Sequence, residues 1–359
     1  MTFPRVFRGL AACMLLAFSF SCVNALTSGS TAGVGIYAFD ASTSTVMVWN
    51  DLETLYDAAS TPAPDRTLSS NLLTKVTNLA WGGMCMDSSR GLLYLVSDSG
   101  SIVRIAQVRT QTGSIPSTDI ISFSLASTGR LTNSTFGQVA VDSQTDTLYI
   151  TENGDSGTQI WVVPTASLQY QDASISLQAL QASGDTGGTG VAAGQGAVYG
   201  YVQDGNPVGP DSLTGPRLRK GTASAFMASS VILGSTTGLG KYGSLALDTA
   251  NGNLYVARHN TDSGGTGAPV EVFQTGQFGL AYNQAPTQTL GSAADQPDLR
   301  VITHPGTKDW LVGLRGAGAT GYPSLILWKS PLGGTAAKVV TVSPSTTVFL
   351  GVALDGNAA

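Results

Sequence analysis

The stretch Val139-Ala140-Val141-Asp142-Ser143-Gln144-Thr145-Asp146-Thr147-Leu148-Tyr149-Ile150 contains the pattern that decides the fold of this chain. A short apolar run ends in Asp, a polar turn follows, and a second apolar run carries Tyr seven residues after the Asp. The pattern recurs in full around Asp87 and Asp248 and in degenerate form at 191–199, 301–311 and 352–355. Its aromatic or leucine markers lie 50 to 56 residues apart, at Tyr94, Tyr149, Tyr199, Tyr255 and Leu311. A fixed period of this length indicates a repeat architecture.

Each repeat contains four short β-strand patterns. In the first complete copy, two further β-rich pieces, 101–105 and 119–123, follow the apolar pair and are bounded by turn residues. A sheet of about 50 residues cannot bury both of its faces alone, so successive sheets must pack face to face around an axis. A β-sandwich also has many short strands, but it has no reason to repeat in a fixed register. The sequence therefore predicts an all-β propeller with four-stranded blades.

The two ends of the sequence predict six blades, one of them shared. Residues 352–355 supply only an innermost strand. The three strands that would complete this blade occur at 35–39, 46–49 and 63–68. A ring closed in this way has no open sheet edges, which protects it from edge-to-edge aggregation. We also expect a monomer.

An Ala-Pro-x-x-Thr-Leu segment occurs at 63–68 and again at 285–290, alongside the Val-Ala-Val-Asp and Leu-Tyr-Ile strands of the repeat. In this combination the chain resembles the NHL-type and related six-bladed repeat propellers of bacterial extracytoplasmic proteins, over nearly its whole mature length. The resemblance implies a six-bladed propeller fold. It does not imply one activity, since such propellers include binding platforms, lactonases and lyases.

The beginning of the sequence has the pattern of a secretory signal peptide. Two arginines precede the apolar run 9–20, and Val23-Asn24-Ala25 forms a small-residue cleavage site. The apolar run is too short for a transmembrane anchor, and no similar run follows. We therefore expect removal of residues 1–25 and a single secreted or periplasmic propeller domain over residues 26–359. Lipidation at Cys22 is the alternative.

The charge of the chain restricts its partners. Only 11% of the residues are charged, with 18 basic against 23 acidic residues and an isoelectric point near 4.9. Nucleic acids and anionic membranes bind through clusters of basic residues, so neither is expected as a partner. The sequence contains no Cys/His metal cluster and no calcium-loop pattern, and we predict no cofactor. The expected partner is a polar small molecule, a glycan or a protein.

Several residues that resemble functional motifs have a structural explanation in the repeat. Cys85 is the only cysteine after the signal peptide, and its position in the apolar run of an inner strand predicts a buried, inert thiol. The recurrent aspartates are predicted to hydrogen-bond to the turn backbone rather than to hold a metal. The segment Gly154-Asp155-Ser156-Gly157 matches a serine-protease nucleophile motif, but it falls where the repeat places a turn, and we predict a turn.

In a propeller, the loops before each first strand and after each second strand meet around the axis on one face. That face is the predicted binding site. The repeat register places carboxylates, guanidinium groups, an imidazole and aromatic rings there, a set that suits a polar ligand. These residues are Trp81, Asp98, Glu152, Asn153, Asp204, Tyr242, Arg258, His259, Asn260 and Arg315.

Four aromatic residues come just before first strands, and they divide into two predicted roles. Trp81 and Tyr242 are each followed by Gly, which leaves the approach to the ring open, and we predict a stacking rim for sugar rings. At least half of the set, which also includes Phe136 and Phe349, is expected in the core between blades.

Catalysis is the alternative to binding. His259 has a pKa suited to acid/base chemistry, and Glu152 is its expected complement across the ring. The resemblance to six-bladed lactonases, which hold a divalent cation with Glu, Asn and Asp, implies Glu152, Asn153 and Asp204 as metal ligands. We predict a non-catalytic platform for a ligand or partner, and a metal-assisted hydrolase or lyase of lactonase type is the alternative.

Overall fold

The computed structural model describes residues 33–60, 62–176, 178–181, 185–203, 214–233, 237, 239, 242–259, 270–280, 282–291, 299–315, 324–333, 337–341 and 349–357. The predicted signal peptide and Cys22 lie outside these residues. Within them, no helix is long and apolar enough to cross a membrane.

The described chain forms six blades of four antiparallel strands around a common axis, as predicted. From the axis outward, blade I consists of β26 (Phe349–Asp355), β1 (Gly35–Asp40), β2 (Thr45–Trp49) and β3 (Arg66–Ser69); blade II of β4 (Leu79–Asp87), β5 (Leu92–Ser97), β6 (Ser101–Ile105) and β8 (Ile120–Leu125); and blade III of β9 (Thr135–Asp142), β10 (Thr147–Gly154), β11 (Gly157–Val163) and β13 (Ala179–Leu180). Blade IV consists of β14 (Gly190–Gly194), β15 (Ala197–Val202), β16 (Arg217–Gly221) and β17 (Phe226–Leu233); blade V of β18 (Tyr242–Asp248), β19 (Asn253–His259), β20 (Val270–Gln274) and β21 (Gln288–Leu290); and blade VI of β22 (Leu299–Thr303), β23 (Trp310–Arg315), β24 (Ser324–Lys329) and β25 (Lys338–Thr341).

Short elements complete the blades. Two-residue parallel strands, β7 (Gly113–Ser114) and β12 (Ser174–Ile175), extend the outer edges of blades I and II. The described helical segments are α1 (Leu52–Asp57) and the 3-10 turns Asn71–Val76, Ala166–Leu168, Thr275–Gln277 and Pro331–Gly333.

Blade I joins strands from distant parts of the sequence, and this confirms the predicted closure. β26 pairs antiparallel with β1, so that Gly35 lies opposite Asp355 and Tyr37 opposite Ala353. Arg109, from the chain that follows β6, donates to both carboxylate oxygens of Asp355 at 2.6 and 2.8 Å. The ion pair ties blade I to blade II at the point where the ring closes.

The hydrophobic core lies between neighbouring blades. The repeat tyrosines Tyr94, Tyr149 and Tyr255 are fully buried on the second strands of their blades. Each belongs to a hydrophobic cluster that also contains side chains of the next blade. Tyr94 shares its cluster with Trp161 of blade III, and Tyr255 shares its cluster with Leu311 of blade VI. Each blade buries its faces against the neighbouring blades. The sequence repeat is therefore stable only as part of the ring.

In four blades, the aspartate at the end of the first strand fixes the turn that follows. Asp87, Asp142, Asp248 and Asp355 each accept a hydrogen bond of 3.0 Å from the backbone N–H two residues later. An aspartate that bonds to its own turn stabilises the reversal of the chain. The predicted structural role of these carboxylates is confirmed.

The structural predictions for the thiol and for the protease-like motif are also confirmed. Cys85 is buried in β4, and burial raises the pKa of its thiol far above the ordinary value. Gly154 pairs with Gly157 across β10 and β11, so that Asp155 and Ser156 form an exposed two-residue turn. Neither segment has the environment of an activated nucleophile.

Hydrogen bonds connect the turns of successive blades on one face of the ring. Asp142 accepts from the backbone N–H of Gly196 at 2.7 Å, and Gln195 Nε2 donates to the carbonyl of Thr249 at 3.0 Å. Thr249 Oγ1 in turn donates to the carbonyl of Gly306 at 2.9 Å. These bonds join blades III to VI on the face opposite the predicted binding site.

His304 occupies the turn position that carries Asp in the full repeats. Its Nδ1 accepts a hydrogen bond of 3.0 Å from the backbone N–H of Gly306, which imitates an aspartate turn. The imidazole stacks on the ring of Tyr255, with centroids 5.4 Å apart and planes 19° apart. Burial lowers the pKa of His304 to about 4, against the opposing effect of the Asp248 and Asp309 carboxylates.

We expect this histidine to make the fold sensitive to mild acid. The neutral imidazole is favoured in the folded state, so its contribution is fully present above the unfolded pKa of about 6.5 and is lost as the pH falls toward 4. Between pH 7 and pH 4.5 the loss amounts to roughly 2–3 kcal/mol in the free energy of unfolding. Urea unfolding at both pH values should show a smaller difference for His304→Asn, whose side chain does not titrate but can still accept from Gly306. An equal pH dependence in both proteins would contradict this assignment.

Candidate functional site

A cavity of about 440 Å³, here called the mouth cavity, opens at the axis on the face where the inner strands begin. Residues of blades II to V line it. Its volume falls in the range typical of small-molecule sites. The lining combines an aromatic ring with hydroxyl, amide and carboxylate groups and with glycines, among them Trp81, Asp98, Thr135, Gln138, Asn153, Gly188, Thr189, Gly243 and Ser244.

A β-bulge brings Trp81 to this cavity. The β4–β5 ladder pairs Leu79 with Ser97 and next pairs Met84 with Leu95. Four residues of β4 therefore face a single residue of β5. A bulge of this kind bends the strand and re-aims its side chains. The Trp81 side chain is left 50% exposed on a strand whose other residues are mostly buried.

Two glycines make the bulge possible. Gly82 has φ +71°, a conformation that side chains other than glycine rarely adopt. A Cβ on Gly83 would lie 2.5 Å from the carbonyl oxygen of Val96. A Cβ on Gly82 would lie 3.1 Å from Cγ of Gln138, so the bulge packs directly against that side chain. The bulge that carries Trp81 thus requires glycine at both positions.

Gln138 forms the floor of the mouth cavity. Its Oε1 accepts from the backbone N–H groups of Val191 and Leu245 at 3.1 and 2.9 Å. Its Nε2 donates to the carbonyls of Leu245 and Ile302 at 2.7 and 3.4 Å. One buried side chain of blade III therefore binds the inner strands of blades IV, V and VI. It also separates the mouth cavity from a smaller cavity of about 90 Å³ deeper along the axis.

Asn153 presents a donor of fixed orientation. Its Oδ1 accepts from Thr158 Oγ1 at 3.1 Å and from the backbone N–H of Gly187 at 3.2 Å. A backbone N–H requires an acceptor, and the oxygen is the only acceptor of an Asn amide, which settles the direction of the amide. The Nδ2 group makes no hydrogen bond to the described residues and remains available at the cavity wall.

Asp98 presents an acceptor. Its backbone is held by a hydrogen bond to the carbonyl of Asn78 and by one from the N–H of Phe136, at 2.8 and 3.2 Å. The side chain is exposed at the cavity, and in the described part of the chain its carboxylate makes no hydrogen bond or ion pair.

The hydroxyl groups at the cavity wall also connect blades. Thr189 Oγ1 donates to the carbonyl of Gly243 at 2.8 Å and accepts from its N–H at 3.0 Å. Ser244 Oγ accepts from the N–H of Ile302 at 3.1 Å, which leaves its own hydrogen free to be donated. The walls are therefore held in place before any ligand arrives, which lowers the entropic cost of binding.

Three of the predicted face residues, Trp81, Asp98 and Asn153, line the mouth cavity together. Asp204 and Asn260 lie outside the described residues. The backbone of three more is described in strands β18, β19 and β23, but their side chains are outside the described part: Tyr242, His259 and Arg315.

Glu152 lies in a different place from the one expected. It is fully buried, because β10 continues to Gly154 and keeps residue 152 inside the ladder. One carboxylate oxygen accepts from Ser134 Oγ and, at 3.2 Å, from the N–H of Leu131. The other accepts from Gln159 Nε2 at 2.5 Å and from Trp161 Nε1 at 2.6 Å. The carboxylate acts here as a structural acceptor and is not part of the cavity lining.

Arg258 is also placed away from the mouth cavity. Its guanidinium forms an ion pair with Glu271 on the neighbouring strand, at 3.4 Å. Burial raises the pKa of the Glu271 carboxyl, and the charge of Arg258 opposes this effect. The pair connects β19 to β20 within blade V.

The aromatic residues expected just before the first strands lie within those strands, because the strands begin earlier than predicted, and they differ in exposure. Phe136 and Phe349 are buried, and the guanidinium of Arg130 lies 4.6 Å from the ring centroid of Phe136. Trp81 alone among the three described side chains of this set reaches solvent to a large extent.

Among the described residues, no three or more His, Cys, Asp and Glu side chains form a cluster placed to bind a metal ion. The described members of the expected lactonase-type set, Glu152 and Asn153, use their oxygen atoms on protein donors.

Most residues that line the cavity were absent from the sequence-based set, among them the polar residues Gln138 and Ser244. The only signal for Gln138 is a polar side chain within an otherwise apolar inner strand. Its partners lie 53 to 164 residues away in sequence, so no local pattern identifies them.

Comparisons with known proteins support the fold. Neither a comparison with protein-family models nor a search of curated sequences gave a match. A chain in the crystal structure of a nidogen/laminin complex is similar with a TM-score of 0.57 and 11% identity, covering 91% of this chain and 100% of that one. TolB from Acinetobacter baumannii is similar with a TM-score of 0.53 and 12% identity, covering 99% and 74%. A gluconolactonase from Xanthomonas campestris reaches a TM-score of only 0.45 at 14% identity, covering 75% and 78%. The first two likenesses are to β-propeller proteins, and at this identity they establish the fold alone.

Proposed function

We propose that this protein is a ligand-binding propeller that holds a small polar molecule in the mouth cavity. The observation that carries the proposal is the Trp81 bulge. Two glycines hold a half-exposed indole beside a cavity whose floor is closed by Gln138. An exposed aromatic ring beside oriented polar groups in a concave site is typical of ligand recognition.

The setting that we propose for this function is extracytoplasmic. The first 25 residues have the pattern of a secretory signal peptide, and the low charge does not favour nucleic acid. Closure of the ring leaves only outer strands as edges, which supports a monomer. The motifs at 63–68 and 285–290 are what supports the NHL-type affiliation as part of this proposal.

A metal-assisted hydrolase of lactonase type is the alternative that the sequence raised. Glu152 accepts four hydrogen bonds from protein donors, and Asn153 Oδ1 accepts two. Recruiting either oxygen set for a cation requires breaking these bonds. No specific observation favours hydrolysis, and binding is therefore the function that we propose.

Tryptophan fluorescence tests this proposal. All five tryptophans lie in the described part of the chain, and the four besides Trp81 are at most 7% exposed. Acrylamide quenching of the purified mature protein therefore reports mainly on Trp81. We expect at least one compound from a library of sugars, amino acids and dipeptides to protect this indole in a saturable manner.

Calorimetry on variants locates the binding. Trp81→Ala should weaken the affinity for that compound by about tenfold or more with little change in stability, since the ring is half exposed. Tyr170→Ala is the matched control, because Tyr170 is 71% exposed and does not line the mouth cavity. Equal affinities of the wild type and Trp81→Ala, or a library without a saturable compound, would contradict the proposal.

A further inference from the structure

The polar groups left available in the mouth cavity point to one class of ligand. Asp98 offers a carboxylate acceptor without a partner among the described residues, and Asn153 offers an amide donor of fixed direction. Ser244 offers a hydroxyl hydrogen deeper in the same wall. A ligand that satisfies all three must both accept and donate hydrogen bonds. Neighbouring hydroxyl groups on one ring do both.

The charges at the cavity favour an uncharged ligand. Among the described residues, no Lys, Arg or His side chain lines the mouth cavity, and Asp98 is its single charged group. A carboxylate or phosphate ligand would lose hydration without a cationic partner and would be repelled by Asp98. An ammonium group would pair with Asp98 but has no lone pair to accept from Asn153 or Ser244, so those two donors would need hydroxyl groups elsewhere on the ligand.

Trp81 supplies the remaining part of the recognition. An indole face packs against the C–H groups of a sugar ring, while its N–H tolerates water. The β4 bulge holds this ring half exposed at the wall that Asp98 also lines. Resting on the proposed function, we infer that the mouth cavity binds an uncharged pyranose unit, with its ring on Trp81 and its hydroxyls on Asp98 and Asn153.

A matched panel of sugars tests the inference. The probes are methyl glycosides of glucose, galactose and mannose, then glucuronate and galacturonate, and then glucosamine and galactosamine, titrated into the mature protein at low salt. At least one neutral glycoside should bind at the Trp81 site, and the corresponding uronate should bind at least about tenfold more weakly because Asp98 repels it.

Two isosteric substitutions make the test specific. Asp98→Asn should weaken binding of the neutral glycoside about tenfold or more and should narrow its advantage over the uronate, because the carboxylate is both an acceptor and the source of repulsion. Asn153→Asp keeps the oxygen that accepts from Gly187 but removes the free donor, and it should also weaken binding about tenfold. Asp57→Asn, at an exposed carboxylate outside the cavity, should change the affinity for neither the neutral glycoside nor the uronate.

The outcomes separate the inference from the proposed function. Tighter binding of the amino sugars than of the neutral glycosides would overturn the inference in favour of a cationic ligand. If only amino acids or dipeptides of the library protect Trp81, the inference of a pyranose ligand is overturned but the proposed binding function stands. A library with no Trp81-dependent ligand contradicts the proposed function itself.

Discussion

Deletion of residues 349–359 is expected to abolish cooperative folding of this propeller. The deletion removes β26, whose apolar residues Phe349, Val352 and Leu354 are at most 5% exposed. Burial of three such side chains contributes roughly 5–9 kcal/mol, a large part of the 5–15 kcal/mol that is typical of a whole domain. The loss of Asp355 also removes the partner of Arg109. Circular dichroism and urea unfolding should show no cooperative transition, and the exposed edge of β1 should promote aggregation.

A shorter deletion provides the control. Removal of residues 356–359 leaves β26 intact and, among the described residues, breaks turn contacts such as the hydrogen bond from the Gly356 N–H to Ser88 Oγ. We expect this variant to unfold within about 1 kcal/mol of the wild type. A cooperative transition of unchanged midpoint in the longer deletion would defeat the idea that β26 is required to close the ring.

The architecture was predictable because the sequence pattern of one blade recurs several times in the chain. The same apolar run, aspartate turn and tyrosine recur at a fixed spacing, so each copy supports the strands predicted for the other copies. Closure followed from an incomplete copy at 352–355 and its missing strands at 35–39 and beyond. Packing between blades makes such a repeat necessary, and a physical necessity of this kind leaves a strong pattern in the sequence.

The site was predictable only in part, because its geometry depends on where strands end. The register placed Glu152 after β10, but the strand runs two residues further and turns that side chain into the blade. Trp81 was expected on the rim because an adjacent glycine would leave its ring accessible. The structural reason is different, since Gly82 and Gly83 form the bulge that carries the ring. Alternation of side chains along a strand makes a shift of one residue decisive.

Gln138→Ala is expected to produce the largest loss of stability among single substitutions at the axis. The change leaves the buried N–H groups of Val191 and Leu245 without this acceptor and removes a side chain that is only 5% exposed. Each unsatisfied group costs about 1–3 kcal/mol, so the free energy of unfolding should fall by about 3–5 kcal/mol. Gln144→Ala, on an exposed turn of the same blade, should change it by no more than about 0.5 kcal/mol.

Gln138→Glu distinguishes hydrogen bonding from simple space filling. The glutamate has nearly the same shape, but its carboxylate would face the carbonyls of Leu245 and Ile302, which now receive donors from Nε2. A buried carboxylate in this position is expected to be destabilising at pH 7 and less so near pH 4.5, where a protonated carboxyl again has one hydrogen to donate. The stability of the variant relative to the wild type should therefore rise as the pH falls. If the free energy of unfolding of Gln138→Glu equalled that of the wild type at both pH values, the four hydrogen bonds of Gln138 would not stabilise the contact between blades III to VI.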